Sequence, residues 1–163
     1  MRIWVESSRG PLALMPAEAL HEWTGVNGAD YEAACAVEGF GVIGFGRDRS
    51  AVILWDEPAR TTFFERLFVQ WMYADSDGDV ERAVSRLRDV VWEQGPIVDV
   101  GGPMVLLDAA APGPEVRIDQ ARGEMDAEAI SAEIEPGLYW VDRGEVSPDE
   151  RTCFRCYHLV ALA

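Results

Sequence analysis

The run Cys153-Phe-Arg-Cys156-Tyr-His158 has the residue types of a zinc site, and Cys35 could supply a fourth ligand. In a β-strand, however, odd and even positions point to opposite faces, so Cys153 faces away from Cys156 and His158. A zinc knuckle also turns between its two cysteines, and Phe-Arg is a poor turn. The spacing therefore favours ordinary strand residues with buried thiols, and no metal or other cofactor is predicted.

A second candidate for metal chemistry is Asp75-Ser-Asp77-Gly-Asp79-Val-Glu81, which is similar to a calcium loop. An EF-hand loop has glycine at its sixth position and glutamate at its twelfth, whereas here glycine is fourth and the twelfth residue is Arg86. Carboxylates at this place also suit the start of a helix, which carries a partial positive charge. Helix capping is therefore the interpretation of these acids, and calcium is not predicted.

No catalytic motif is present. The only two histidines, His21 and His158, fall in separate predicted elements, and the chain has no nucleophile elbow, Walker loop or Rossmann glycine pattern. Pairs of carboxylates can be chosen at will from 29 acidic residues, so they do not indicate a hydrolase. We expect a binding protein and not an enzyme, and an enzyme that uses aspartate and glutamate ranks last among the alternatives.

The strongest bulk feature is acidity. The 163 residues include 29 acids and 14 arginines but no lysine, which gives a net charge of −15. Because 48% of the residues are apolar and six are tryptophans, the chain has the composition of a folded protein and not of an acidic tail. A folded anionic body repels nucleic acid and anionic lipid and attracts basic proteins. The predicted partner is therefore a basic protein, with no direct nucleic-acid or membrane contact.

Ten carboxylates form the predicted partner-binding surface, because acids concentrate in the 75–81 turn and in the stretch 124–150. A solvated rim is the competing interpretation for each of them. The ten are Asp75, Asp77, Asp79, Glu81, Glu133, Glu135, Asp142, Glu145, Asp149 and Glu150.

The chain as given predicts one domain over 1–163 in the cytoplasm. Its start carries charge where a signal peptide needs an apolar stretch, and no apolar run approaches the roughly 20 residues of a membrane span. Three cysteines are too few and odd in number for a disulfide framework, which suits a reducing compartment.

Three pairs of segments echo each other: 10–17 with 102–109, 51–56 with 137–142, and 68–71 with 154–157. We interpret them as two related halves, about 1–76 and 94–163, joined by a helix at about 77–92. That helix is indicated by Val80, Ala83, Val84, Leu87 and Val91, which follow helical spacing.

Strand signals dominate both halves. Hairpins are predicted from 2–6 with 11–15, from 41–46 with 51–55, and from 97–100 with 103–107; further strands are predicted at 67–73, 128–134, 138–142 and 152–161, and weak helical turns at 16–24 and 30–37. The predicted fold class is α+β, a sheet-dominated single domain of two pseudo-duplicated halves with one main amphipathic helix.

The large aromatic residues support an alternative function. Trp55, Trp71, Tyr139 and Trp140 could line a pocket between sheets, as in a small-ligand-binding or regulatory module. Ordinary core packing is the competing interpretation of the same residues.

The order of several short motifs resembles the immunity protein 21 family of bacterial polymorphic-toxin immunity proteins. The motifs are Trp4-Val-Glu with Gly10-Pro-Leu12, Trp23, Asp30-Tyr31, Gly41-Val-Ile, Asp56-Glu-Pro58, Trp71-Met-Tyr-Ala-Asp-Ser76, Gly102-Pro-Met-Val-Leu-Leu-Asp108-Ala-Ala, and Pro136-Gly-Leu-Tyr139. They cover nearly the whole chain. The segments 63–67 and 153–156 depart from the pattern.

The resemblance implies a cytoplasmic antidote that binds a toxin encoded beside it, and it transfers no catalytic residues. Many such toxins are nucleases with cationic grooves, and an acidic inhibitor can imitate nucleic-acid phosphates. The nuclease is an inference from charge and not from the family. Steered association of this kind can approach about 10⁸–10⁹ M⁻¹s⁻¹ at low salt.

Overall fold

Two β-sheets face each other and form the body of the molecule. The computed structural model describes residues 2–56, 58–122 and 126–162, so Glu57 of the Asp56-Glu-Pro58 motif and the first acid of the stretch 124–150 lie outside the described residues. The strands are β1 (Trp4–Val5), β2 (Leu12–Pro16), β3 (Gly39–Phe45), β4 (Arg49–Trp55), β5 (Thr61–Phe64), β6 (Leu67–Tyr73), β7 (Glu93–Val100), β8 (Met104–Asp108), β9 (Ala121–Arg122), β10 (Asp126–Ala127), β11 (Ala129–Ala132), β12 (Gly137–Asp149) and β13 (Thr152–Ala161).

The larger sheet has eight strands in the order β7-β12-β13-β6-β5-β1-β10-β9, and the smaller has five in the order β11-β8-β2-β4-β3. All neighbours are antiparallel except β1 and β10. β7 and β3 are therefore edge strands of their sheets.

The main core lies between the two sheets. Phe68, Tyr139 and Tyr157 of the large sheet pack with Leu12 and Leu106 of the small sheet, and all five are at most 3% exposed. Their neighbours along each strand point to the outer face of the sheet, because successive side chains of a β-strand point to opposite faces. The sheet-dominated α+β prediction is confirmed.

Helical segments cover the outer face of each sheet. The small sheet is covered by the 3₁₀ helices Ala17–Glu22 and Gly25–Asn27 and by α1 (Asp30–Cys35), with Trp23 at the centre of this second core. The large sheet is covered by α2 (Asp79–Val84) and the 3₁₀ helix Leu87–Asp89. A further 3₁₀ helix, Gly113–Glu115, follows β8. No helix in the described part of the chain is long and apolar enough to cross a membrane.

The predicted helix over 77–92 is too long. α2 ends at Val84, Arg86 N–H then bonds to the carbonyl of Ala83 as in a 3₁₀ turn, and the chain is extended from Val90. The Ser85 hydroxyl donates to the Arg82 carbonyl at 2.6 Å, a local bond that competes with the helical ladder. Val91, expected on the buried helix face, is 91% exposed.

Two of the three predicted hairpins are wrong. β1 and β7 lie in the large sheet, whereas β2 and β8, which follow them, lie in the small sheet. Each polar turn therefore carries the chain from one sheet to the other. The predicted hairpin of 41–46 with 51–55 is confirmed as β3 and β4. Strands β6 and β13 have the predicted bounds, 67–73 and 152–161.

Two of the three pairs of echoed segments form neighbouring strands, and the third pair does not. β2 pairs with β8, and β6 pairs with β13, each pair antiparallel and adjacent in one sheet. The third pair, 51–56 and 137–142, falls in different sheets, in β4 and β12. The division into halves at about 1–76 and 94–163 stays a prediction.

Candidate partner-binding surface

The acids of the 75–81 turn bind arginines of the same chain. Arg2 donates to Asp77 at 2.7 Å and also to Glu81, and its own side chain is only 14% exposed. Arg82 binds Asp79 at 2.7 Å and reaches Asp149, the last residue of β12. These contacts attach α2 to the amino-terminal segment and to the long hairpin.

Asp79 has an additional structural role at the start of α2. It is 7% exposed, and its Oδ2 accepts the backbone N–H groups of Asp75 and Ser76, both at 3.2 Å. A carboxylate that reaches back to backbone donors before a helix is the arrangement that the capping interpretation predicts. Among the described residues, no group of three or more His, Cys, Asp or Glu side chains is placed to hold a metal ion.

The remaining acids of the predicted surface lie elsewhere. Glu145 binds Arg155 at 2.7 Å, Glu135 lies 3.9 Å from Arg66, and Asp75 binds Arg151 at 3.1 Å. Within the described part of the chain, Glu133, Asp142 and Glu150 form no ion pair. The ten carboxylates thus occupy several places on the molecule, and seven of them are paired with an arginine.

Acid pH should weaken these ion pairs. Hydrogen bonds from Arg2 lower the pKa of Glu81, and those from Arg82 lower the pKa of Asp149. A carboxylate whose pKa is lowered in the folded state stabilises the fold at a pH above its ordinary pKa, which is 4.5 for Glu81 and 3.8 for Asp149. This stabilisation is lost as the pH falls through the lowered pKa of the folded state.

We therefore expect Arg82→Gln to lower Tm at about pH 6, and we expect this difference from the wild type to shrink toward about pH 2.5 as the pH falls through the lowered pKa of Asp149. Arg88→Gln is the control, because exposed Arg88 forms no ion pair with any described residue. Thermal unfolding of the three proteins across this range measures both differences. A Tm difference for Arg82→Gln that does not shrink with falling pH would contradict this account.

The cysteines are far from a metal-site arrangement. Cys153 and Cys156 are buried in β13, and Cys35 lies in α1 on the other sheet. Burial raises the pKa of Cys156 to about 12, so its thiol stays protonated. On the outer face of the large sheet, Cys156 packs with Phe154, and His158 packs against Trp92 with ring centroids 5.4 Å apart.

Three of the four aromatic residues of the alternative ligand pocket lie in separate cores, as the core-packing interpretation expects. Trp55 packs on the outer face of the small sheet, whereas Trp71 packs against Trp4 on the outer face of the large sheet. Tyr139 is buried between the sheets, and its hydroxyl donates to the Glu135 carbonyl at 2.6 Å. These aromatics fill separate cores.

A polar clamp joins the two sheets at one end. Asp56, just after β4, accepts hydrogen bonds from Arg143 of β12 at 2.5 Å and from the hydroxyl of Tyr157 in β13. The Arg143 guanidinium also lies 4.4 Å from the ring centroid of Phe40 in β3. An open cleft of about 540 Å³ beside the clamp is lined by Asp56, Arg143 and Arg155 together with Asp89, Val91, Glu93, Gly144 and Glu145.

Sequence reasoning missed a second cleft, which we call the edge cleft. It has a volume of about 550 Å³ and lies where strands β3 and β4 face the corner between β7 and β8. Its apolar lining includes Leu14, Val42, Val52, Ile97 and Met104, and its exposed acids are Glu18, Asp48 and Asp99. The apolar alternation of β3 and β7 is the one sequence signal connected with this cleft. It does not predict the cleft, because the cleft forms only when both sheets are in place.

The comparisons with known proteins decide the family. The family model of immunity protein 21 matches residues 3–152, nearly the whole chain. The chain belongs to this family. As an immunity protein, it serves to bind and neutralise a cognate toxin, and such proteins are generally not enzymes. Neither the comparison with curated proteins nor that with solved structures finds a match.

Several residues of the motifs that carried the resemblance are buried or hydrogen-bonded within this immunity protein. Trp4 and Trp23 are 0% exposed, and Asp56 forms the clamp. Asp108 accepts hydrogen bonds from the backbone N–H and the hydroxyl of Ser8, at 3.0 and 2.9 Å. These four residues maintain the fold.

Proposed function

We propose that this immunity protein acts in the cytoplasm by docking its acidic surface on a basic toxin encoded beside it. The observation that carries the proposal is a net charge of −15 on a folded body of the immunity protein 21 family. The proposal includes no direct contact with nucleic acid or membrane, and no catalytic role for the immunity protein.

The ion pairs support a negative potential at the surface. At least nine of the fourteen arginines are bound by carboxylates of the same chain. Little positive charge is therefore left to repel a cationic partner, whereas the excess carboxylates have no arginine to neutralise them. Such a field speeds the encounter with a basic protein and orients it.

The toxin class that this charge favours is a nuclease. A nuclease binds phosphates in a cationic groove, and carboxylates on a rigid surface can occupy the same groove. Inhibition then follows from blocking the path of the nucleic acid, with no chemical step on the part of the inhibitor.

The experiment is to purify the chain together with the product of the neighbouring toxin gene and to measure association by stopped flow. We expect a one-to-one complex whose association rate falls at least about tenfold between about 50 and 500 mM NaCl, because salt screens exposed charges. Co-expression should also restore the growth of cells that produce the toxin. Absence of a complex at low salt would refute the proposed function, and a salt-independent rate would refute its electrostatic part.

A further inference from the structure

Three exposed apolar side chains gather at one corner of the molecule. Val42 in β3 is 42% exposed, Ile97 in β7 is 45% exposed, and Leu138 in β12 is 48% exposed. They are half of the six large apolar side chains that are exposed in the described residues. Val42 and Ile97 line the edge cleft, and Leu138 lies directly across the strand pair from Asp99, which also lines it. A clustered apolar surface of this kind marks an interaction site more often than scattered side chains do.

The carboxylates around this corner are available to a partner. Asp48 and Asp99 are exposed, and neither forms an ion pair within the part of the chain that the structure describes. Arg49, the arginine of the cleft lining, is already bound by Glu18 at 3.0 Å and by Glu22 at 2.8 Å. The edge cleft thus combines an apolar lining with uncompensated negative charge.

The 75–81 turn, by contrast, offers carboxylates that are already occupied. Asp77 and Glu81 share Arg2, and Asp79 is buried beneath Arg82. A basic partner docking there would have to replace existing ion pairs, and the net gain from such an exchange is small.

We propose that the edge cleft is the toxin-docking site and that it receives a long basic side chain, arginine or lysine, from the cognate toxin. The proposal rests on the proposed function and specifies where the toxin binds. The aliphatic stem of the side chain packs on Val42 and Ile97, and its charged head meets Asp48 and Asp99. Long basic side chains combine an apolar stem with a charged tip, so this lining matches their chemistry. Leu138 extends the contact beyond the cleft.

Two glycines permit a matched test. A Cβ added at Gly101, in the cleft lining, would meet no atom within 4 Å, and a Cβ added at Gly78, before α2, would meet only Ser76 Oγ at 3.6 Å. Neither glycine has a positive φ. Gly101→Arg and Gly78→Arg therefore add the same charge and bulk at the edge cleft and at the acidic turn, with room for the added Cβ at both places.

The experiment measures the Kd of the wild-type chain and both variants for the product of the neighbouring toxin gene, by calorimetry at fixed salt. We expect Gly101→Arg to raise Kd at least tenfold and Gly78→Arg to change it less than twofold. Asp99→Asn should raise Kd about threefold or more, and Asp75→Asn should leave it within twofold. Thermal unfolding of each variant shows whether its fold is kept.

The outcomes separate the two proposals. A larger loss for Gly78→Arg than for Gly101→Arg would overturn the edge-cleft assignment, and equal losses would do so as well, because they would indicate net charge and not a site. In both cases the wild-type complex, and with it the proposed function, would stand. If the wild-type chain bound no toxin, the proposed function itself would fail.

Discussion

Replacing Asp56 with alanine is expected to lower the free energy of unfolding by about 3–5 kcal/mol. The Asp56 side chain is 13% exposed and accepts hydrogen bonds from Arg143, which is 22% exposed, and from Tyr157, which is fully buried. Burial and the bond to Asp56 raise the pKa of Tyr157, so its hydroxyl remains a donor. Without Asp56, a largely buried guanidinium loses a partner and a buried hydroxyl loses its acceptor, which is costly.

Glu93 provides the matched control, because it binds the same Arg143 at 2.5 Å but is 64% exposed. Glu93→Gln should cost less than about 1 kcal/mol, as expected for an ion pair in contact with water. Urea unfolding of both variants gives the comparison. If Asp56→Ala is too unstable to measure, Asp56→Asn, which keeps the volume and one acceptor oxygen, should still lose more than Glu93→Gln. Equal losses would show that the clamp does not hold the sheets together.

Replacing Trp23 with alanine is expected to cost about 3–5 kcal/mol, the range for a large aromatic residue removed from a core. Trp23 is 0% exposed, packs edge-on against Phe45 with centroids 5.1 Å apart, and donates from Nε1 to the Ala109 carbonyl at 3.0 Å. Its own carbonyl accepts the N–H of Gly113 at 2.8 Å. The variant keeps this backbone bond, but it leaves a cavity in the second core and removes the indole donor from the Ala109 carbonyl.

Tyr73→Ala is the control for this loss, since Tyr73 is an aromatic residue of β6 that is 52% exposed. We expect its cost to stay below about 1 kcal/mol, because exposed side chains contribute little to the free energy of unfolding. Denaturant unfolding followed by circular dichroism measures both variants. A loss for Trp23→Ala no greater than that for Tyr73→Ala would contradict the packing described for the second core.

The periodicity of apolar residues predicted those strands in which the pattern of buried and exposed side chains stays the same from end to end. β6 and β13 have the predicted bounds, and β3 with β4 forms the predicted hairpin, because each strand alternates or is apolar throughout. The helix over 77–92 was predicted too long because its apolar residues keep a helical spacing beyond the point where α2 ends. Apolar residues at helical spacing show that a segment packs on a sheet, but Leu87 and Val90 do so from a 3₁₀ turn and the residue after it.

The sequence did not show which strands pair with each other in a sheet. The turn after β1 and the turn after β7 have the composition of hairpin turns, yet each leads into the other sheet. A turn's residues restrict the local backbone, whereas the sheet that a strand joins depends on which apolar faces must be buried together. The same limit applied to the aromatic residues, since the sequence left open whether they line one pocket or pack in cores, and Trp55, Trp71 and Tyr139 lie in three separate cores.

The sequence by itself determined the charge, the sheet-rich composition and the family, because these depend on residue types and on their order. Only the tertiary structure decided which carboxylates remain available. Asp77 and Arg2 are 75 residues apart in the chain, and their pairing is created by folding. The edge cleft likewise exists only where β3 of one sheet meets β7 of the other, so no local pattern could show that Asp48 and Asp99 line the same cleft.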